Sequence, residues 1–382
     1  MTQRYMQDFG LFYAQARRAV IDGVNPYEST IVRPGSIEAV RGANLNPPHF
    51  LLMVAPLAVF NATTAFVVWA FLSLISALAA LWLSLREAGI RVTPTVCLWT
   101  LTALLVAAPT GALLMSWQVS WLLWGPITWA WVVARRGRWT ASALVLGVLM
   151  SVKPFLGLFL LAFASERRWR PLLAACGAAV VCFGLGLVFL GWEAHASWLR
   201  TLAGVSWSSF VFNASFPGFL ERALMVRPMP SWDLVPVAVA PGLVAPLALA
   251  GATIALTVSS RALRKDGPDK VDRLFAVVLC ASLLVSPLGW IYYEFFFVGP
   301  VLVLCVGGRW WTRTAWQKAL VGIWIVSAVM SPGLLTSWQP SPLATLTVGS
   351  LYFWGLLALW SRLVAPARCN ESARASHGAL PV

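Results

Sequence analysis

Apolar stretches about 20 residues long recur from Phe50 to Val364, separated by short loops that carry most of the charge. Such a stretch is what a helix needs to cross the hydrocarbon core of a bilayer, about 30 Å thick at 1.5 Å per residue. The spacing predicts spans near 62–85, 93–109, 117–134, 171–191, 234–259, 274–287, 290–307, 319–331 and 343–363. Composition agrees, because 59% of the 382 residues are hydrophobic and 11% charged, against about 25% charged in soluble chains. A water-soluble fold could not hide that much apolar surface. We therefore expect an all-α, polytopic membrane protein.

The stretch 140–164 is long enough to cross but is broken at Lys153-Pro154. Proline has no N–H to donate and disfavours helix at the residue before it. We therefore expect two short helices forming a hairpin with Lys153 near its tip. The net charge of +14 would suggest nucleic acid in a soluble protein; here its placement sets topology. The loops 86–92, 135–139, 165–170, 260–273 and 308–318 and the tail from Arg362 hold 19 of the 28 Lys and Arg. Basic short loops belong in the cytoplasm. The alternation closes if the hairpin goes out and back, which places residues 1–49 and 192–233 outside.

The chain then divides into an outer helix and loop (1–49), membrane helices (50–191), an outer loop (192–233), more membrane helices (234–363) and a cytoplasmic tail (364–382). The two outer segments hold seven of the fourteen carboxylates: Asp8, Asp22, Glu28, Glu38, Glu193, Glu221 and Asp233. Residues 9–22 set Phe9, Phe12, Tyr13, Ala16, Ala19 and Val20 at helical spacing against Gln15, Arg17, Arg18 and Asp22. That pattern predicts an amphipathic helix lying on the membrane surface, ended by Asn25-Pro26-Tyr27. Nothing before Asp8 could carry the N-terminus across, so a further span upstream of Met1 is expected. No cleavable signal peptide is visible at the start. The six cysteines show no CxxC spacing and the three histidines (His49, His195, His377) no ligand spacing, so neither a metal site nor a cofactor is expected.

Four pieces of sequence, in order, carry a resemblance. The first is Asp8-Phe9 with Tyr13, Ala16, Gly23, Asn25, Pro26 and Tyr27, then Asn46-Pro47-Pro48 and Ala55-Pro56-Leu57-Ala58. The second is Gln118-Val119-Ser120-Trp121-Leu122-Leu123, and the third Ser151-Val152-Lys153-Pro154. The fourth is Asn213-Ala214-Ser215, Gly218, Leu220 and Arg222, followed by Ser286-Pro287-Leu288-Gly289-Trp290. Together, over about residues 8–300, they resemble glycosyltransferase family 87, the polyprenyl-phosphate-mannose-dependent mannosyltransferases of the GT-C fold. The resemblance implies a GT-C-type bundle, here with about 11 membrane helices and two outer-face loops. It also implies inverting transfer of a hexose, mannose in this family, from a polyprenyl-phosphate carrier to a lipid or glycan acceptor. The transfer would take place on the outer face of a bacterial inner membrane. Two departures stand out: Trp117-Gln118-Val119-Ser120 replaces the usual Gly-Gln-Val-Asn, and Tyr292-Tyr293-Glu294 stands where relatives often carry histidines.

Such a transfer needs a carboxylate to take the acceptor's proton and cations to receive the departing phosphate. Asp8 is the expected base, since the resemblance places that role on an acidic residue of the first outer loop; as a plain structural residue it would cap its helix. Asp22 and Glu28 are reserves. Lys153, Arg222 and Arg227 are expected at the donor phosphate, and Tyr27, Gln118, Asn213 and Glu294 at the substrates. For Lys153 the alternative is snorkelling to the interface or pairing with a carboxylate, Glu294 among them. His49 reads as a polar loop residue. A lipid or sugar transporter is the chief alternative function, although such chains often show paired broken helices in two halves and only one break is seen here. A non-catalytic membrane scaffold is the third.

Overall fold

The computed structural model describes residues 7–27, 44–205, 208–224, 241–264, 267, 269–307, 314–337 and 342–365. Among them the structure is all helical, with no strand. In chain order the helices are α1 (Gln7–Val20), α2 (Pro48–Val54), α3 (Ala62–Glu87), α4 (Pro94–Val106), α5 (Ala108–Ser116), α6 (Ser120–Arg135) and α7 (Trp139–Val152). Then come α8 (Leu158–Ser165), α9 (Trp169–Ala203), α10 (Phe216–Ala223), α11 (Pro241–Leu263), α12 (Lys270–Val285), α13 (Val298–Val306), α14 (Ala315–Val329), α15 (Pro332–Ser337), α16 (Pro342–Leu346) and α17 (Leu351–Val364).

Local chemistry sets several of these ends. Asn61 accepts from the Thr64 N–H at 2.9 Å and starts α3. Thr93 does the same for α4 toward Val96 at 3.2 Å, with Pro94 at the first helical position, where its missing N–H has no partner to lose. Ala107 leaves helical geometry (ψ 130°) two residues before Pro109, and α4 and α5 bend by 61° there. Four helices among the described residues are long and apolar enough to cross a membrane: Ala62–Glu87, Trp169–Ala203, Gly242–Leu263 and Leu343–Val364. The bent α4–α5 pair makes a fifth if it is counted as one span. On α9 and α11, Val180, Val188 and Leu249 are at least 70% exposed. Large apolar side chains facing outward in this way suit lipid. The chain is a helical membrane protein.

The centre is built by α6 and α12, whose Trp124, Trp131 and Phe275 are buried. The break expected at Lys153-Pro154 is present: α7 stops at Val152, a short 3₁₀ turn covers Pro154–Gly157, and α8 follows. One expectation is corrected. Helix α1 is amphipathic, but its apolar face meets protein rather than lipid. Phe9, Phe12, Tyr13 and Ala16 are all buried, with Phe12 edge-on to Phe50 at 5.0 Å and Phe9 edge-on to Phe66 at 5.4 Å. The periodicity of α1 signals a buried stripe and is silent about what covers it. The two segments read as outer also meet, through Asn25 Nδ2 to Ser197 Oγ at 2.9 Å and Trp198 Nε1 to the Leu45 carbonyl at 3.2 Å.

Elsewhere the basic loops are tied together. Glu87 takes both Arg135 (2.6 Å) and Arg136 (2.8 Å), Arg135 also reaches Asp272 (3.1 Å), and Lys270 pairs with Glu166 (2.8 Å). Helices α7 and α9 pack closely at Gly147, where an added Cβ would collide with the Ala175 carbonyl and lie 2.8 Å from the Ala178 Cβ. Gly177, on the same α9, has open space around it. Gly147→Leu therefore separates the helix pair and costs several kcal/mol by overpacking, whereas Gly177→Leu leaves the melting temperature in detergent within about 2 °C of the parent. Equal melting temperatures for the two variants would contradict this packing.

Candidate active site

Three non-helical or helix-end segments converge beside α1. The first is the run before α2, where Pro47 is extended (φ −69°, ψ 162°), as a residue before proline must be. The second is the turn after α5. The third is the break at Lys153. All three leave the helix and so can aim side chains at one point.

Lys153 is buried, and its Nζ donates to Asn46 Oδ1 at 2.7 Å and lies 5.1 Å from the centre of the Tyr293 ring. Because an ammonium only donates, this contact fixes the orientation of every amide behind it. Asn46 turns its oxygen to Lys153 and donates its Nδ2 to Asn44 Oδ1 at 2.8 Å; Asn44 then donates to Gln15 Oε1 on α1 at 2.7 Å. The Tyr27 hydroxyl donates to the Asn46 carbonyl at 2.6 Å. Desolvating an ammonium costs several kcal/mol unless polar partners are in place, and here they are supplied by neutral groups and a π face.

The opposite charge facing Lys153 is Asp8, in the first turn of α1. It is half-buried, and Ser116 and Gln118 hydrogen-bond to its carboxylate. Between those two, Trp117 sits at φ 55°, ψ 47°, in the left-handed region that favours glycine. The resembling motif has glycine at this position. Here Phe66 packs edge-on against the Trp117 ring at 4.7 Å and helps hold the turn. Gln118 accepts from the Val119 N–H at 3.0 Å with its Oε1, which leaves its NH2 to donate. Burial pushes the Asp8 carboxyl up to about 6, against the pull of the Lys153 ammonium and of the hydrogen bonds from Ser116 and Gln118. At neutral pH it is mostly ionised yet basic enough to take a proton.

Tyr292 and Tyr293 complete the surround, both buried, both facing Asp8, with Tyr292 also bonded to Gln118. They are held from behind by the 208–215 loop. Ile291 N–H donates to the Phe212 carbonyl at 3.0 Å and Ala214 N–H to the Gly289 carbonyl at 2.8 Å. Asn213, fully buried, donates to the Ser208 and Pro287 carbonyls (2.7 and 2.8 Å) and accepts from the Ser215 and Gly289 N–H groups (3.2 and 2.8 Å). All four of its hydrogen-bonding positions are thus taken by backbone.

The structure brings together Asp8, Lys153, Gln118 and, through Asn46, Tyr27. Asn213 lies behind the two tyrosines. Arg222 is buried at the same loop, its Nε on Ser350 Oγ at 2.9 Å and its Nη1 on the carbonyls of Phe210 (3.0 Å) and Asn213 (3.1 Å), with Nη2 unpartnered. Glu294 is buried and faces Cys280 and Tyr352. The alternative of a pairing with Lys153 is not seen among the described residues: the short 3₁₀ helix Ile291–Phe297 turns Tyr293 toward Lys153 and Glu294 away. His49 is buried and its Nε2 meets the Ser151 carbonyl at 3.0 Å. Asp22 is exposed in the turn after α1; Arg227 and Glu28 lie outside the described residues. Sequence reasoning missed Asn46, Ser116 and Tyr293 as members of the site. Asn46 had a signal, an amide directly ahead of a double proline.

A carboxylate of raised basicity facing a buried cation can take a proton from a hydroxyl and stabilise a departing anion, which suits a group transferase. The comparisons agree on the class. The model of glycosyltransferase family 87 matches residues 44–287, well over half of the chain, and the chain belongs to that family. No curated protein and no solved structure matches it. The matched region contains Asn46, Gln118, Lys153, Asn213 and Arg222; Asp8 precedes it and Tyr293 follows it. The chain is a glycosyltransferase, and the match gives the transporter alternative no support.

With Asp8 acting as a base, which must be unprotonated to act, transfer is expected to fall as pH drops through about 6. Lys153→Met removes a charge that lowers the Asp8 pKa, so the acid limb of the pH–rate profile moves to higher pH. A limb that stays in place or moves down contradicts the pairing of these two charges.

Proposed function

We propose that this glycosyltransferase moves a hexose, mannose by family, from a polyprenyl-phosphate carrier to a lipid or glycan acceptor, at the outer face of a bacterial inner membrane. The fold is a GT-C-type bundle of about 11 membrane helices, with residues 1–49 and 192–233 on the outer side and the basic loops and the tail inside. The observation that carries this reading is the facing of Asp8 and Lys153 across one polar site bounded by Gln118, Asn46 and Tyr293. The concentration of Lys and Arg in the short loops and the tail, 19 of 28, supports the topology.

In the reaction the acceptor hydroxyl attacks the anomeric carbon while Asp8 takes its proton. The bond from that carbon to the phosphate oxygen breaks, and the phosphate leaves with the electron pair. The sugar passes through an oxocarbenium-like state and inverts. Lys153 meets the charge growing on the phosphate, a role suited to a preorganised cation shielded from water. Arg222, with one free nitrogen, and Arg227 receive the same phosphate from the second outer segment. Gln118 orients Asp8 with its NH2. Tyr27 and Asn213 contribute by position, the first by holding Asn46 on Lys153 and the second by holding the loop behind Tyr292 and Tyr293. Glu294, buried beside Tyr293, contributes to the substrate site from the same 3₁₀ segment.

The test is transfer of label from a polyprenyl-phosphate mannose to a membrane-extract acceptor by purified protein in lipid. Asp8→Asn lowers kcat by on the order of 10² to 10⁴-fold with little change in donor KM. Equal rates for parent and variant would remove Asp8 from the mechanism. A parent that accepts other lipid-linked sugars but not this one would overturn the donor.

A further inference from the structure

A second charged site lies at the end of the molecule where the basic loops gather. The turns before α7 and α9 are built alike. Gly137 and Arg167 are both left-handed (φ 76° and 54°), each is followed by an arginine in the N-cap position, Arg138 or Arg168, and each helix then begins with tryptophan, Trp139 or Trp169. An arginine side chain has no acceptor atom, so neither caps its helix, and both place positive charge at the positive end of a helix dipole, where an anion belongs. Arg167 holds a backbone conformation that Gly137 adopts freely, so a charge is present there despite a conformational cost.

Between the two turns is an open cleft of about 720 Å³ lined by Arg138, Arg167, Arg168 and Arg170 together with Trp139 and Trp169. Arg168 stacks on Trp139 at 3.9 Å, and its buried Nε has no partner. The nearby carboxylates are already engaged, Glu87 by Arg135 and Arg136, and Glu166 by Lys270. Among the described residues none of the four lining arginines is in an ion pair. Beyond the cleft the same two helices present Leu144, Val148 and Leu173 outward, 38–70% exposed, and Trp169 is 59% exposed. A cationic cleft that runs onto an apolar, tryptophan-edged surface matches a ligand with a phosphate head and acyl chains.

We propose that this cleft binds the headgroup of an acidic phospholipid, its phosphate held between the arginine side chains at the paired starts of α7 and α9, with its chains along their exposed apolar faces. The site is separate from Asp8 and Lys153 and does not depend on the donor sugar. The arginine fork suits bidentate phosphate binding, and basic pockets beside membrane helices favour anionic over zwitterionic lipid.

The full chain in detergent, presented with phosphatidylglycerol and phosphatidylcholine of matched chains and followed by native mass spectrometry, tests this. The parent retains phosphatidylglycerol preferentially. The triple variant Arg138→Gln/Arg167→Gln/Arg170→Gln, which leaves the Arg168–Trp139 stack in place, binds it about 100-fold more weakly, at roughly fivefold for each arginine, and binds phosphatidylcholine unchanged. A control that removes equal charge elsewhere, Arg91→Gln/Arg264→Gln/Lys318→Gln, keeps the preference. Arg170→Gln alone, a change of one exposed side chain, gives about a fivefold loss. No preference in the parent, an equal loss in the control, or undiminished binding by the triple variant would overturn the proposal. Displacement of the lipid by inorganic phosphate at equal concentration would reassign the cleft to a soluble anion and overturn it as a lipid site.

Discussion

The contact between the Lys153 ammonium and the Asn46 amide oxygen organises the rest of the site. A proline after Lys153 stops one helix, and the stop leaves a cation buried within the helical bundle. That cation is tolerable only with acceptors in place, and Asn46 supplies one from the extended run before α2. The orientation then propagates as a chain of donors and acceptors through Asn44 to Gln15, which anchors α1. Helix α1 in turn delivers Asp8 to face Lys153. The Asp8 carboxylate and the Lys153 ammonium are thus set opposite each other by one relay of neutral amides rather than by a direct ion pair, which would neutralise both. A carboxylate kept moderately basic and a cation kept available are what the proposed transfer draws on.

Much of this was legible in the sequence, for identifiable reasons. Helix length and apolar content expose spans such as 62–87 directly, and a proline inside an apolar run marks a break wherever it falls. Charge patterning picks out the basic short loops between the apolar stretches. Asp8, Gln118 and Lys153 were found because each stands in a motif or is an isolated charge in an apolar context. What lay beyond reach was the set of contacts between distant segments. Nothing local says that Tyr293 covers Lys153 and Glu294 turns away, because the 3₁₀ geometry of 291–297 decides it and the apolar pattern there suits an ordinary helix equally well. The apolar stripe of α1 likewise announces burial without naming a partner, and the partner proved to be Phe50, Phe66 and Trp69.

The two departures from the family pattern fall at the site itself. Trp117 occupies a left-handed turn where the motif has glycine, and ring packing against Phe66 takes over part of the work that backbone freedom does there. Tyr292 and Tyr293 occupy the place of histidines, exchanging groups that titrate near neutrality for phenols, one of which faces a cation with its ring. Both changes leave the carboxylate and the ammonium in position. They alter how the pair is supported, with aromatic packing in place of flexibility and titration.

The most direct test of the central claim is a double-mutant cycle on kcat/KM for transfer, using Asp8→Asn, Lys153→Met and the two combined. If the groups serve one transition state, their effects are strongly non-additive, as for residues that act as a unit. The double variant is then little worse than the poorer single variant. Losses that simply multiply would show two independent contributions, and would contradict an active centre built on the facing of Asp8 and Lys153.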